Sequence, residues 1–94
     1  MTVTSFAGLF PTGDIVITRG AQTELDQDCV FRGLLRHMSG DWGDLSEFDQ
    51  NQNELALVHG ERLLSSFRTR NGTPFWIITE WDRSVTTILL PSEY

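Results

Sequence analysis

Residues 62–90, RLLSSFRTRNGTPFWIITEWDRSVTTILL, decide the fold. They contain three strand-like runs rich in β-branched and aromatic residues, at 62–69, 74–81 and 84–90. Asn71-Gly72 separates the first two runs and is typical of a two-residue type I′ hairpin turn, since both of its positions need positive φ. Asp82-Arg83 marks a second, weaker turn signal. The stretch therefore predicts a three-stranded antiparallel meander.

One short strand and two helices are predicted before this meander. Residues 15–18, IVIT, are mostly β-branched and predict a strand. Residues 23–38 place apolar side chains at i, i+3 and i+4, which predicts a helix with Thr23 or Asp26 as its N-cap. Residues 46–59 predict a second helix, whose apolar side is formed by Leu45, Phe48, Leu55 and Val58.

Together these elements predict a two-layer α+β domain. We expect a mainly antiparallel sheet of about four strands with two helices on one face, in the order β-α-α-β-β-β. Residues 1–12 have no clear period and are interpreted as an N-terminal arm. Residues 13–94 form the single domain.

Two-residue turns would give this sheet two apolar faces, of which two helices can cover only one. The second face would carry Phe75, Ile77, Ile88 and Leu90. A bare face of this size normally marks a contact surface. A second copy of the chain, giving a homodimer, or a different partner could cover it. So could the arm, through Phe6, Leu9 and Phe10.

Charge and composition exclude several classes of function. The chain has 13 carboxylates, seven basic residues that are all arginine, and a net charge of −6. An acidic surface is repelled by phosphates, so we expect no direct nucleic-acid binding but attraction to basic protein surfaces. No apolar run approaches the length of a membrane span, and the first residues lack a basic segment typical of a signal peptide. Cys29 is the only cysteine, which favours a reducing, cytoplasmic location without membrane attachment.

An acidic run near the middle of the chain is the first candidate site. It contains Asp41, Asp44, Glu47, Asp49 and Glu54. Helix capping and a solvated helix face are one interpretation, and a binding surface for a basic partner is another. Hard cations also take carboxylate oxygens, but the spacing does not match an EF-hand loop. We therefore expect no metal site.

A second candidate is the hairpin tip Trp81-Asp82-Arg83. In a purely structural role, Asp82 would hydrogen-bond to Ser84 and Arg83 would point to water. In a binding role, Trp81 and Arg83 would anchor a partner, because these residue types dominate interface hot spots. Trp42, flanked by glycines in another loop, is the same kind of candidate anchor.

Catalytic residues are not indicated by any spacing in the sequence. His37 and His59 lie at predicted helix ends, where the helix dipole favours a cation. Cys29 lies among apolar residues of a predicted helix and is interpreted as an inert thiol. The sequence therefore predicts a protein that is not an enzyme and carries no cofactor.

Several longer blocks of the sequence carry a resemblance. GDWGDL spans 40–45, GERLLS spans 60–65, WIITE spans 76–80, and DRS, TT and PSEY follow at 82–84, 86–87 and 91–94. With TRG at 18–20 and RH at 36–37, this pattern resembles a family of short bacterial proteins carried on plasmids and integrative elements. The resemblance implies a mobile genetic element as the setting, and it implies no catalytic residue.

The expected function follows from size, charge and this setting. Mobile elements often carry small acidic proteins that occupy basic grooves of host defence complexes. We expect a non-enzymatic protein that binds and inhibits or modulates such machinery, of the anti-CRISPR or anti-restriction type. A homodimeric regulatory or assembly factor of the element is one alternative, and a minimal hydrolase is another.

Overall fold

The computed structural model describes residues 8–94, which form a four-stranded sheet, three α-helices and a C-terminal 3-10 turn. In chain order the elements are β1 (Asp14–Ile17), α1 (Arg19–Glu24), α2 (Gln27–Met38), α3 (Glu47–His59), β2 (Leu63–Arg68), β3 (Pro74–Thr79), β4 (Val85–Leu89) and the 3-10 turn (Pro91–Glu93). The predicted α+β class and order of elements are confirmed, with one short helix more than expected.

The sheet has the strand order β1-β4-β3-β2. β2, β3 and β4 form the predicted antiparallel meander. β1 adds to the edge beside β4 and runs parallel to it, from Asp14 opposite Val85 to Ile17 opposite Ile88. Because a helical crossover of many residues joins β1 to the meander, this parallel pairing is sterically accessible.

The β2–β3 turn differs from the predicted two-residue type. Thr69 donates its N–H to the carbonyl of Thr73 (2.9 Å), which leaves three residues in the loop. Gly72 has φ of 84°, as expected for the left-handed position of a three-residue hairpin. The extra loop residue shifts the register by one, so Phe67 lies opposite Phe75 and not opposite Trp76.

The β3–β4 register is as predicted, although its turn is longer. Glu80 donates its N–H to the carbonyl of Val85 (3.1 Å), so four residues form the loop. Trp76 still lies opposite Leu89. Two further loop residues leave the alternation of side chains unchanged, which is why the prediction of these two strands holds.

The single helix predicted at 23–38 is two helices in the structure. Thr18 caps α1 by accepting the N–H of Ala21 (3.2 Å), so Arg19 and Gly20 begin a helix. Leu25 then becomes extended, and Asp26 caps α2 by accepting the N–H of Asp28 (3.0 Å). The predicted cap at Asp26 is confirmed, whereas Thr23 lies inside α1.

The main core lies between α1, α2 and one face of the sheet. Its buried members are Ala21, Leu25, Phe67, Phe75, Ile77 and Ile88. A Cβ atom at Gly33 would lie 3.0 Å from the Phe75 ring, so the glycine allows α2 to approach the sheet closely. The expectation that Phe75, Ile77, Ile88 and Leu90 form a bare second face was wrong, because the shifted register brings Phe67 of β2 onto their face and α1 and α2 cover that face.

The described part of the arm packs on the same side as the helices. Leu9 donates its N–H to the carbonyl of Met38 (2.9 Å), and Phe10 is buried beside Trp42. The arm between Gly8 and Thr12 therefore extends the helical layer. Phe6 lies outside the described residues.

The other face of the sheet is covered in part by the C-terminus. Ile78 and Leu89 are buried there, and the Tyr94 ring packs edge-on against Trp76 at 5.5 Å. Arg62 donates to the Tyr94 hydroxyl (2.6 Å). The Glu93 carboxylate accepts N–H groups of Leu90 and Gly20 and the hydroxyl of Thr18, which ties the last turn to the start of α1 and lowers the pKa of Glu93.

Candidate functional site

A chain of buried polar side chains crosses the layer between α2 and the sheet. His37 Nδ1 lies 2.6 Å from Ser65 Oγ, and His37 Nε2 lies 2.9 Å from Thr79 Oγ1. Thr79 Oγ1 lies 2.7 Å from Thr86 Oγ1, which donates to the carbonyl of Thr12 (2.8 Å). The four side chains are fully buried and all of them are hydrogen-bonded. We call this chain of side chains the His37 network.

The His37 network holds a neutral imidazole. Burial, with the positive charge of Arg83 as a smaller cause, lowers the pKa of His37 to about 4. Phe10 and Trp42 pack edge-on against the ring at 5.3 and 5.6 Å. His37 is therefore a neutral hydrogen-bonding partner in the core, and its predicted role as a cation at a helix end was wrong.

The contact between Ser65 and His37 has the distance of a nucleophile–base pair. Both side chains are completely buried, so a substrate cannot reach Ser65 Oγ in this structure. The sequence pattern predicts only the pairing of Thr79 with Thr86 in this network, because the predicted two-residue turn would put Ser65 on the opposite face of the sheet. It does not show that His37 meets them. We assign the network to the specification of the fold.

Trp42 is a core residue and not an exposed anchor. Its side chain is 3% exposed and packs with Phe10, Ala56 and Leu63. The indole Nε1 donates to the Glu54 carboxylate (2.7 Å), which joins the loop to α3. Burial of the ring removes Trp42 from the surface available to a partner.

Arg83 is also structural. Its guanidinium donates to the carbonyls of Glu61 (2.6 Å), Glu80 (3.1 Å) and Ala56 (3.3 Å), and it lies over the ring of Phe10. The predicted orientation towards water was wrong. These bonds fix the hairpin tip to the end of α3.

The remaining tip residues are at the surface. Trp81 is 67% exposed and keeps the features of a candidate anchor. Asp82 accepts the hydroxyl (2.7 Å) and the N–H (3.1 Å) of Ser84, as predicted for its turn role. These bonds lower the pKa of Asp82 and keep its carboxylate charged.

All five carboxylates of the acidic run are exposed. Asp41 forms an ion pair with Arg36 (2.7 Å), which lowers the pKa of Asp41. Asp44 is exposed in the loop, and Glu47 and Asp49 are exposed in the first turn of α3. Positions 38–61 contain no arginine or lysine. Apart from Asp41, these carboxylates have no ion pair within residues 8–94.

α3 turns most of its predicted apolar side away from the core, whereas Leu45, just before the helix, is partly buried against the cluster that contains Trp42 and Leu63. Phe48, Leu55 and Val58 are 70%, 51% and 79% exposed. The helix packs instead through its opposite side, where the Asn53 side chain donates to the carbonyl of Leu64 (2.6 Å) and accepts its N–H (3.2 Å). We call the three exposed side chains the α3 ridge. An apolar stripe of a surface helix normally faces the core, so the outward orientation of the α3 ridge is unusual.

Carboxylates flank the α3 ridge. Glu47 precedes Phe48 and Glu54 precedes Leu55, so both glutamates lie in a row along the same side of the ridge. Glu54 is also exposed, although it accepts the bond from Trp42. The combination is an apolar strip beside uncompensated negative charge.

A second apolar surface lies at the opposite edge of the sheet from α3. An open groove of about 280 Å³ runs between β1 and α2. Its apolar lining includes Ile15, Ile17, Leu25, Val30, Phe31 and Leu34. Phe31 of α2 is 59% exposed at this groove.

Within residues 8–94 no three His, Cys, Asp or Glu side chains are arranged to hold a metal ion. Over that span no helix has the length and apolarity needed to cross a membrane. Cys29 is only partly buried, with its thiol 3.6 Å from the Asp26 carboxylate.

Comparisons of the chain with protein-family models, with curated proteins and with solved structures find no match.

Proposed function

We propose that the chain is a non-enzymatic protein-binding module that docks a basic partner through α3. The observation that carries the proposal is the outward orientation of Phe48, Leu55 and Val58 beside exposed carboxylates. Interfaces of this kind combine an apolar centre with a charged rim. The ridge would supply buried contact area, and the carboxylates would select the partner.

Electrostatics defines the chemistry of that partner. Four exposed carboxylates of the acidic run, Asp41, Asp44, Glu47 and Asp49, contribute to the net charge of −6 and favour a surface rich in arginine and lysine. Surfaces that bind nucleic acid have this character. An acidic protein that occupies such a surface competes with nucleic acid for it, which is inhibition by steric and electrostatic exclusion.

The resemblance to proteins of plasmids and integrative elements gives this chemistry a setting. We propose that the partner is a nucleic-acid-binding subunit of a CRISPR or restriction complex in the bacterial cytoplasm. Trp81 would add a contact at the far end of α3, where Arg83 fixes the hairpin tip. Trp42 and Arg83 act indirectly, by holding α3 and this tip in place.

A homodimeric regulatory or assembly factor is the second candidate. The exposed apolar residues of β1 favour it, because they lie on a different surface from the α3 ridge. We set the minimal hydrolase aside, because the Ser65–His37 pair is buried.

The proposal is tested by capture from bacterial lysates that contain CRISPR or restriction complexes. The immobilised wild-type chain is expected to retain a basic nucleic-acid-binding subunit, and nucleic acid is expected to compete for it. Added salt should weaken the captured complex as the Debye length shortens from about 30 Å to about 8 Å. A partner that is acidic, or a complex that salt does not affect, contradicts the proposal.

A further inference from the structure

One edge of the sheet is closed by the chain itself. Ser66 of β2 donates its N–H to the carbonyl of Trp42 (3.1 Å), and Asp44 donates its N–H to the carbonyl of Ser66 (2.7 Å). The Asn53 side chain satisfies both backbone groups of Leu64. Exposed strand edges template pairing with other chains, and these contacts occupy the outward backbone groups of Leu64 and Ser66 in β2.

The opposite edge, formed by β1, is open in the described part of the chain. Asp14 and Thr18 donate their N–H groups to the carbonyls of Ser84 and Ile88 (3.0 Å each). Alternate residues of β1 therefore face β4, and the backbone groups of Ile15 and Ile17 point away from the sheet. Within residues 8–94 no backbone hydrogen bond reaches these outward groups.

The side chains of this edge are apolar. Ile15, Val16 and Ile17 are 48%, 43% and 39% exposed. Lysine, proline and bulges usually protect an open strand edge, and β1 (DIVI) has none of them. The groove between β1 and α2 continues the apolar surface on the helical side.

We propose that a second copy of the chain occupies this edge, through antiparallel pairing of the two β1 strands about a two-fold axis at Val16. In this register Ile15 of each copy lies opposite Ile17 of the other. The two residues whose backbone groups point outward thus exchange both hydrogen bonds. The two sheets become one sheet of eight strands.

Charge and symmetry favour a second copy over a foreign strand. β1 begins with an acidic residue, Asp14, and Arg19 follows one residue beyond Thr18. Antiparallel pairing places Asp14 of one copy opposite Thr18 of the other, next to its Arg19. Each end of the paired strands then carries both signs of charge, and the arrangement is self-complementary as a two-fold interface requires. The same axis brings the two grooves side by side, with Phe31 at the rim of each.

Light scattering and amide hydrogen exchange on the full-length chain test this proposal. We expect a mass of twice 10.7 kDa at micromolar concentration and slow exchange at the Ile15 and Ile17 amides. Val16→Lys places two like charges on the axis and should weaken self-association by roughly 100-fold. Asn71→Lys, which adds the same charge at an exposed hairpin tip, should leave the dimer intact.

The outcomes separate the possible occupants of this edge. A monomeric wild type overturns the proposal, and so does a dimer that Val16→Lys leaves intact. A chain that dimerises only after residues 1–7 are deleted also overturns it, because that segment would then be the natural cover. Fast exchange at Ile15 and Ile17 in a wild-type dimer contradicts the proposed edge without any variant.

Discussion

Lowering the pH should destabilise this protein through His37 before most carboxylates titrate. The pKa of His37 is about 4 in the folded protein, because of burial and Arg83, and its ordinary value is 6.5. Between these two values the unfolded chain binds a proton that the folded chain does not. Stability is therefore constant above the ordinary pKa and falls as the pH is lowered towards the folded one.

The size of this effect follows from the shift. Each pKa unit corresponds to about 1.4 kcal/mol, so His37 alone should remove about 2 kcal/mol between pH 6.5 and 5, and about 3 kcal/mol by pH 4. Small domains have about 5–15 kcal/mol in total, so the loss is a large fraction. Asp41, Asp82 and Glu93 have lowered pKa values and add losses of the same sign, but in a more acidic range.

Urea unfolding followed by tryptophan fluorescence measures the effect at pH 7, 6 and 5. The midpoint should fall with pH in the wild type. His37→Gln keeps a polar side chain that does not titrate, so it should lose most of this dependence. His59→Gln controls for the removal of a histidine elsewhere.

An NMR titration of the wild type keeps the test independent of whether His37→Gln folds. The His37 ring signals should stay unchanged from pH 7 down to about pH 5. Titration of His37 near pH 6.5 in the folded protein would refute the reasoning. Equal stability at pH 7 and pH 5 would refute it as well.

Three further changes test the loops that position α3. Gly43→Ala should cost about 3 kcal/mol or more, since a Cβ atom there would lie 2.0 Å from the carbonyl oxygen of Ser66 and φ is 76°. Gly60→Ala, at a similar φ but with open space around it, should cost only about 1–2 kcal/mol. Arg83→Gln should cost about 2–3 kcal/mol, because it removes donors from the buried side of the hairpin tip. Chemical denaturation measures all three, and equal losses for the two glycine variants would contradict the first prediction.

The elements of the fold could be predicted from sequence because their signals are local. β-Branched runs, the cap at Asp26 and turn residues act over a few positions. The register of β2 could not be predicted from sequence, because Gly72 suits the left-handed position of both a two-residue and a three-residue loop. The one additional residue in the β2–β3 loop decides which side of β2 lies on the same face of the sheet as Phe75.

The candidate site could be predicted only in part, because burial depends on tertiary contacts. The exposed carboxylates Asp44, Glu47 and Asp49 follow from composition and helix position. Trp42 has the sequence features of a surface anchor, yet contacts with Phe10 and Glu54, which are far from it in the sequence, bury it.

The orientation of α3 could not be predicted from its apolar residues. Its packed side is marked only by Asn53 and Ala56, which are weak signals in the sequence. Asn53 and Ala56 are small or polar, but they pack because the edge of β2 needs a hydrogen-bonding partner and a close approach. Phe48, Leu55 and Val58 are larger and remain outside. Periodicity finds an apolar side of a helix, and it does not reveal which neighbour that side meets.

The most direct test of the proposed function is the dissociation constant of the captured partner for three forms of the chain. Val58→Lys should weaken binding by roughly 10-fold to 100-fold, since a buried valine contributes about 1.5–3 kcal/mol. Asn71→Lys adds the same charge away from α3 and should bind as the wild type does. Equal affinity of Val58→Lys and the wild type would contradict the assignment of the α3 ridge as the docking surface.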